Sequence, residues 1–462
     1  MNRREFVCGV AAGAAASCLP GWAQDAAANA KLEIDSGKVG SQIPVNFTGL
    51  SYESAQLANP EFFSAKNKEL IALFRDLSPK GNLRLGGGSS EFTSYSDAPA
   101  SGPLPFEVFG PDTSKTVKHG TVTSKLALMN LRAFLDATGW SCLYGLNLGQ
   151  GTKENATDEA AAVFRILGPR LVAFQIGNEP DSFRKRYRPE SWGPQDYIAE
   201  WNVFHDAIVA VTPGAKFAGP DVSNKMAFLT AFAENARQHK DVILLTAHYY
   251  AMVPARIPDA TLAQLMEDNP KQATMKAAGF ATVAEAMKTS GLPFRMSEGN
   301  SCWDGGKPGV SDTLASALWC ADTMLRFAQM GWSGVNLHGG GNGFYTPIAG
   351  APSTGFSRRP EYFGIQFAQS LTGWSFVPSN VTGGAATLKT YALQSGRRLR
   401  VAVINKTDAV VRIDLPRRVH GHAMRLGGPS LESKEGVSFR KVKVPRERSV
   451  TVEGHTGMIY EL

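Results

Sequence analysis

Two glutamates follow short apolar runs in the sequence, where a carboxylate can do acid–base or nucleophilic chemistry. Glu179 follows Leu171–Gly177 and Asn178, and Glu298 follows Phe294–Ser297. A carboxylate at the end of a buried strand costs free energy unless it is paired or used. A helix cap or a structural ion pair would explain either glutamate alone. Two together suit cleavage of a glycosidic bond, in which one carboxyl protonates the leaving oxygen and the other, ionised, attacks the anomeric carbon.

Side chains that can bind sugars accompany both glutamates. Asn178 can hydrogen-bond a sugar hydroxyl and so stabilise the transition state. A single aromatic residue is more often part of the core, but a cluster of them after predicted strands favours a carbohydrate site. The aromatic residues in such positions are Tyr52, Tyr249, Tyr250, Trp303, Phe344 and Tyr345.

The elements that must position these side chains alternate between strand and helix. Eight short β-like runs occur, at Phe47–Tyr52, Asn82–Gly86, Ser141–Leu148, Leu171–Gly177, Lys216–Pro220, Val242–Tyr249, Phe294–Ser297 and Gly334–Leu337. Amphipathic Ala- and Leu-rich segments with helical spacing lie between them. This pattern predicts an α/β fold, a (β/α)8 TIM barrel over residues 46–375. Glu179 and Glu298 then lie at the C-terminal ends of strands four and seven, where barrel enzymes place their reactive groups.

The pattern changes in residues 376–462, where short strands alternate with Gly, Asn and Pro turns. This predicts a C-terminal β-sandwich domain, which we expect the N-terminal strand or strands in residues 31–45 to join. The segment carries 15 Lys and Arg against 7 Asp and Glu, whereas the rest of the 462-residue chain has a net charge of −1. Its basic face is either simply solvated or a contact for anionic polysaccharide. No nucleic-acid-binding module is recognisable, so nucleic acid is not an expected partner.

The N-terminus predicts export. Residues 1–23 resemble a Tat-type signal peptide, with the twin arginines Arg3-Arg4 before an apolar, Ala-rich stretch that is too short for a permanent membrane span. Cleavage is expected after Ala23, which gives a periplasmic or extracellular protein without stable membrane insertion. Cys8 and Cys18 lie in the signal, and a lipidated Cys18 stays an open alternative.

Three cysteines follow the predicted signal peptide. Their number is odd, and their spacing is not that of a metal site. We expect Cys142, Cys302 and Cys320 to be small core residues rather than disulfide partners or nucleophiles.

Five motifs occur in an order that resembles one enzyme family. They are Arg84-Leu85-Gly86-Gly87, Phe174-Gln175-Ile176-Gly177-Asn178-Glu179-Pro180, Gly219-Pro220-Asp221, His248-Tyr249-Tyr250 and Ser297-Glu298-Gly299-Asn300-Ser301. From about Gly49 onward the chain resembles glycoside hydrolase family 79, in clan A, which holds heparanases and β-glucuronidases. The resemblance implies a retaining β-glycosidase for β-D-glucuronides or glucuronate-containing glycans that works without a cofactor.

The resemblance also implies roles for individual residues. Glu179 would be the acid/base and Glu298 the nucleophile. Tyr249 would orient the nucleophile, and Glu53 would contact hydroxyls of the terminal sugar.

One loop departs from the family pattern. Five residues after the nucleophile the family usually has Tyr followed by glycines, and that loop binds the substrate carboxylate. Here Trp303 replaces the hydroxyl donor, and Asp304 adds an anion where an anion should dock. Gly305 and Tyr345 can still supply donors. The sugar is therefore less firmly predicted than the reaction, and a neutral sugar is the alternative.

Other functions fit the sequence less well. His248 and His338 both end predicted strands, as metal ligands in barrels do, but neither belongs to an HxH or HExxH pairing, so no metal is expected. A serine hydrolase is disfavoured because no GxSxG occurs. A non-catalytic glycan-binding protein would not need a spaced acid and nucleophile.

Overall fold

The computed structural model describes residues 28–97, 105–109, 115–267, 273–340 and 343–462. The predicted signal peptide, with Cys8 and Cys18, lies outside the described residues. Cys142, Cys302 and Cys320 are buried and form no disulfide. Within the described part of the chain, no helix is both long and apolar enough to cross a membrane.

Eight parallel strands close into a barrel, which confirms the predicted TIM-barrel fold. Numbered one to eight in chain order, the barrel strands are Thr48–Glu53, Asn82–Gly86, Ser141–Leu146, Leu171–Ile176, Phe217–Val222, Val242–Met252, Phe294–Cys302 and Gly334–His338. Each predicted run overlaps one of them. Strand eight pairs with strand one, so that His338 lies beside Ser51 and the ring is complete.

Strands six and seven are longer than predicted, and Glu298 consequently lies within strand seven rather than after it. The pairing shifts by one residue between Ala247 and His248, which leaves Ser297 as an extra residue on strand seven. Such a β-bulge re-aims the side chains of its strand. Ser297 and Glu298 are neighbours in sequence, yet both side chains bond partners inside the barrel.

Helices surround the barrel as the amphipathic segments predict. In the described residues they are Lys68–Leu77, Lys125–Thr138, Lys153–Leu167, Pro194–Val211, Ala227–Ala236, Leu262–Glu267, Ala277–Ser290, Leu314–Gln329 and Pro360–Gln369. Helix Lys125–Thr138 illustrates how the sequence determines where a helix begins and ends. Ser124 caps its start, because the Ser124 hydroxyl accepts a hydrogen bond from the Ala127 amide at 3.2 Å. Gly139 ends it in the left-handed conformation, at φ 82°.

Two sheets form the β-sandwich. The four-stranded sheet has the order Ser379–Gly383, Ala28–Ile34, Val411–Asp414, Ser449–Val452, so the strand Ala28–Ile34 lies within this domain. The six-stranded sheet has the order Ser375–Phe376, Leu388–Ser395, Arg398–Asn405, Thr456–Glu461, His422–Gly427, Ser438–Lys443. Exposed Arg440, Lys441 and Lys443 lie on the last of these, an edge strand, where lysines also discourage edge-to-edge pairing.

The six-stranded sheet packs directly on the barrel. Ala402 and Ile404 belong to the barrel's apolar core, whereas the alternating Val401 and Val403 belong to the core between the two sheets. A buried ion pair between Lys406 and Asp322 of helix Leu314–Gln329 crosses this interface. The barrel and the sandwich therefore share one continuous packed structure.

Candidate active site

Glu179 stands on a tight turn after strand four. Gly177 has φ 87° and Glu179 has φ 50°, both in the left-handed region, which reverses the chain directly after the strand. The Glu179 amide donates to the carbonyl of Asp221 at 2.9 Å, which fixes the turn against strand five. The Glu179 carboxylate lies 2.9 Å from Nδ1 of His248. Its side chain is 30% exposed, so it is held in place but open to the cleft.

Glu298 is buried more deeply and is surrounded by donors. Arg84 Nη1 donates to Oε2 at 2.7 Å, and the Tyr250 hydroxyl donates to Oε1 at 2.8 Å. His338 Nδ1 lies 3.7 Å from Oε2, and His248 Nδ1 lies 3.9 Å from Oε1. Only 9% of the Glu298 side chain is exposed. A carboxylate held in this way is stabilised in its ionised form.

The two carboxylates lie close together across the mouth of the barrel. A carboxylate oxygen of Glu179, one of Glu298 and a ring nitrogen of His248 all lie within 4.8 Å of one another. The cleft above them has a volume of about 630 Å³, which suits a small-molecule or sugar ligand.

Arg84, at the centre of the barrel, connects strands that carry the site. Its side chain is fully buried and forms ion pairs with both Glu298 and Asp221. It also donates to Asn178 Oδ1 at 2.7 Å and to Gln175 Oε1 at 3.2 Å. A guanidinium can do this because its donors form a rigid planar fork. One side chain of strand two therefore positions residues of strands four, five and seven.

The surroundings of the two glutamates shift their pKa values in opposite directions. Burial raises the pKa of Glu179, and the nearby negative charge of Glu298 raises it further, whereas the hydrogen bond from His248 opposes the rise. Burial would also raise the pKa of Glu298, but the positive charges of His338, His248 and Arg84 lower it to about 2. Two carboxyls with separated pKa values are typical of an acid and a nucleophile.

His248 lies between three carboxylates and is fully buried. Burial alone would lower the pKa of its imidazole, but the negative charges of Glu298 and Asp221 raise that pKa well above its usual value. Its Nε2 lies 3.2 Å from Asp221. A protonated His248 compensates charge at the site.

The structure brings most of the sequence-predicted binding residues to this cleft. Glu53, at the end of strand one, accepts hydrogen bonds from the Ser89 amide at 2.7 Å and the Ser89 hydroxyl at 2.5 Å. His338 Nε2 lies 3.6 Å from it. The other predicted residues that line the cleft are Asn178, Trp303, Asp304, Gly305 and Tyr345.

Asp304 has a partner in the structure. It forms an ion pair with Arg256, whose guanidinium also lies over the ring of Trp303, 5.1 Å from the ring centre. Trp303 is 38% exposed. Asp304 has φ 65°, a conformation that glycine adopts without strain. The Asp304 carboxylate is therefore paired with a cation from the loop after strand six.

The prediction that Tyr249 orients Glu298 was wrong by one residue. The Tyr249 ring packs edge-on against Phe327 at 5.1 Å and near Phe280 at 5.8 Å, in the helical layer outside the barrel. Tyr250 bonds Glu298 instead. Successive side chains of a strand point to opposite faces, so only one of two adjacent tyrosines can face the barrel interior.

Several site residues were not predicted as such from the sequence. Arg84, Asp221 and Tyr250 belong to the motifs that carried the resemblance, but nothing in the sequence said that their side chains meet. His248 and His338 were considered only as possible metal ligands.

Nothing in the sequence indicated that Glu91 belongs to the site. It is a buried residue of the cleft lining that accepts hydrogen bonds from the amides of Leu148, Gly149 and Asn178, and burial raises its pKa to about 7. It holds the turn that carries Glu179.

Comparison with known proteins gives two kinds of match. No protein-family model matches the chain. The β-glucuronidase of Neurospora crassa is 26% identical over 360 residues, which are 71% of this chain and 62% of that protein. The β-glucuronidase of Aspergillus niger is 24% identical over 385 residues, 77% of this chain and 69% of that protein. The match thus spans less than two thirds of the Neurospora protein.

Solved structures share the fold at lower identity. The 4-O-α-L-rhamnosyl-β-D-glucuronidase of Fusarium oxysporum has a TM-score of 0.66 at 16% identity, over 94% of this chain and all of that one. A family 51 α-L-arabinofuranosidase of Bifidobacterium longum has a TM-score of 0.68 at 13% identity, over 94% of this chain and 99% of that one. These likenesses support the fold, which glycosidases of different specificity share. In sequence the chain is similar to the two fungal β-glucuronidases, and in fold it is similar to glycosidases that contain this barrel.

Proposed function

We propose that the chain is a retaining β-glycoside hydrolase acting on β-D-glucuronides or glucuronate-containing glycans. The observation that carries the proposal is the separation of the Glu179 and Glu298 carboxyls, whose facing oxygens lie within 4.8 Å. Retaining glycosidases keep their carboxyls about 5–5.5 Å apart, whereas inverting enzymes need about 6.5–9.5 Å to admit a water molecule. The opposite pKa shifts of the two groups support the same mechanism.

The proposed reaction has two displacements. Ionised Glu298 attacks the anomeric carbon while protonated Glu179 gives its proton to the leaving oxygen, and a covalent glycosyl-enzyme forms. Glu179, now ionised, then takes a proton from water, which attacks the same carbon and releases the sugar with its original configuration. Arg84 and Tyr250 hold the Glu298 carboxylate in position for both steps.

Recognition of the sugar is proposed to involve residues around this pair. Glu53 would accept hydrogen bonds from hydroxyls of the terminal sugar. The side-chain oxygen of Asn178 accepts a hydrogen bond from Arg84, so its NH2 group would be the one that donates to a sugar hydroxyl. Names of the fungal relatives favour glucuronate as the terminal sugar.

A panel of nitrophenyl glycosides tests the proposal. We expect the β-D-glucuronide to be hydrolysed with the highest kcat/KM, and NMR of the first product to detect the β-anomer. An α-anomer as first product would contradict double displacement. Hydrolysis of neutral β-glycosides alone would be compatible with the mechanism but would contradict glucuronate as the terminal sugar. Failure to hydrolyse any glycoside, with glycan binding intact, would favour the non-catalytic alternative.

Asp304 favours the neutral-sugar alternative, because it adds a carboxylate to the cleft in the loop that, by the family resemblance, would bind a substrate carboxylate. In Asp304→Gly the Arg256 cation loses its partner and becomes available to an anionic sugar. We expect the ratio of kcat/KM for the glucuronide to that for a neutral glycoside to rise about three- to tenfold. Arg256→Gln should lower the same ratio, since Asp304 would be left unpaired. Equal ratios in both variants and the wild type would show that this ion pair does not set specificity.

The adjacent tyrosines provide a matched pair of variants. Tyr250→Phe removes the hydroxyl that bonds Glu298 and should lower kcat about 10- to 100-fold, because the nucleophile loses both orientation and charge stabilisation. Tyr249→Phe alters a side chain outside the barrel and should change kcat less than threefold. Thermal unfolding of both variants controls for stability. The reverse order of effects would contradict the assignment.

A further inference from the structure

We propose a binding site for a divalent transition-metal ion, of the kind that takes Zn²⁺, at His205, His239 and Asp241. His205 lies in helix Pro194–Val211, His239 follows helix Ala227–Ala236, and Asp241 directly precedes barrel strand six. These residues lie at the N-terminal end of the barrel, opposite the cleft. One donor atom from each lies within 4.8 Å of the other two.

The donor set suits zinc. Two imidazole nitrogens and a carboxylate oxygen are ligands that Zn²⁺ takes at about 2.0–2.2 Å, which places ligand atoms roughly 3.3–3.6 Å apart in a tetrahedral site. His205 Nε2 and Asp241 Oδ2 already lie 3.1 Å apart. The Asp241 side chain is 24% exposed, so an ion can enter from solvent and keep water as a fourth ligand.

His205 is arranged as metal-bound histidines usually are. Its Nδ1 lies 3.0 Å from Asp206 Oδ1, the outer carboxylate that typically orients such an imidazole. If Nδ1–H donates to Asp206, the lone pair of Nε2 faces the Asp241 carboxylate. Two acceptors at 3.1 Å repel each other unless a proton or a metal ion lies between them.

The two imidazoles are held together by packing. The Trp201 ring stacks on His205 at 4.8 Å and meets His239 edge-on at 5.3 Å, and the two imidazole centres are 4.5 Å apart. Among the described residues, no hydrogen bond to the His239 ring is present. A bound metal ion would be coordinated by a ring nitrogen of His239. The alternative explanation, a protonated His205 that bridges Asp206 and Asp241, gives His239 no role.

Zinc binding to untagged protein distinguishes these two explanations. We expect one Zn²⁺ per chain by calorimetry, a rise in Tm of about 1–3 °C at a tenfold excess of zinc over its Kd, and no response to Mg²⁺. His239→Ala should weaken zinc binding at least tenfold and abolish the rise in Tm. His422→Ala, which removes an exposed histidine of the sandwich, serves as the control and should bind zinc as the wild type does.

The catalytic cluster is the competing zinc site, because Glu179, His248 and Glu298 also place donor atoms within 4.8 Å of one another. The titration is therefore repeated in Glu179→Gln. Binding that persists in Glu179→Gln and is lost in His239→Ala supports the proposed site. No stoichiometric binding by the wild type, or binding that His239→Ala leaves unchanged, would overturn it.

Discussion

Glu298→Gln is expected to abolish turnover of every glycoside, whatever its leaving group. The amide is close in shape to the carboxylate, but it cannot form the covalent glycosyl-enzyme through which both steps pass. We expect kcat to fall at least about a thousandfold on nitrophenyl and on natural substrates alike. Steady-state kinetics on a pair of substrates with good and poor leaving groups measures this. A loss confined to the poor leaving group would contradict the role of nucleophile.

Glu179→Ala is the matched comparison, since it removes the other carboxyl of the pair. A nitrophenolate leaves without protonation, so the first step should survive on activated substrates and fail on poor leaving groups. Azide does not need a general base, and it should restore turnover on the nitrophenyl substrate and give a β-glycosyl azide. An α-glycosyl azide, or no rescue of Glu179→Ala together with rescue of the Glu298 variant, would reverse the two assignments.

The pH dependence of the wild type should follow from the same two groups. The proposed reaction needs Glu298 ionised and Glu179 protonated. The pKa of Glu298 is lowered to about 2 and that of Glu179 is raised, so kcat/KM should fall in acid as Glu298 takes a proton and fall in base as Glu179 loses one.

The sequence predicted the barrel well because its strands are buried on both faces. Such strands read as nearly continuous apolar runs, and all eight runs were found. Strand His422–Gly427 of the sandwich has no such signal in the sequence. Its residues include His422, Met424 and Arg425 and are flanked by glycines, so no apolar alternation marks it. Its position is set by pairing with Ser438–Lys443 and Thr456–Glu461 on either side.

The candidate site was predictable at the level of residues but not of contacts. Glu179 and Glu298 stood out because carboxylates ended apolar runs. Tyr249 and Tyr250 could not be told apart, since the sequence does not show where strand six ends or which of its residues faces inward. The bulge at Ser297 is likewise a property of the pairing between strands six and seven rather than of either strand alone.

Replacement of Arg84 should lower both activity and stability. Arg84→Met leaves the carboxylates of Glu298 and Asp221 buried without their guanidinium partner. Breaking a buried ion pair in this way typically costs about 3–5 kcal/mol of folding free energy. Arg84→Lys keeps one charge but cannot donate to Glu298, Asp221 and Asn178 together, so it should be less destabilising and still lower kcat at least about a hundredfold.

Arg295→Met provides the control for Arg84, because Arg295 is also a buried arginine of the barrel. Its guanidinium donates to Asn336 and to the Phe47 carbonyl rather than to a carboxylate, so its loss should destabilise the fold without acting on the nucleophile.

The pH profile separates a role of Arg84 at the site from a merely structural one. In the wild type the stabilisation due to the lowered pKa of Glu298 is complete above the unfolded value of about 4.3 and is lost as the pH falls toward about 2. Without the Arg84 charge the pKa of Glu298 should rise, because burial is then opposed only by His248, His338 and Tyr250. The acid limb of kcat/KM in Arg84→Met should therefore move to higher pH, whereas that of Arg295→Met should stay in place. Equal acid limbs in both variants would mean that the charge of Arg84 serves the fold and not the nucleophile.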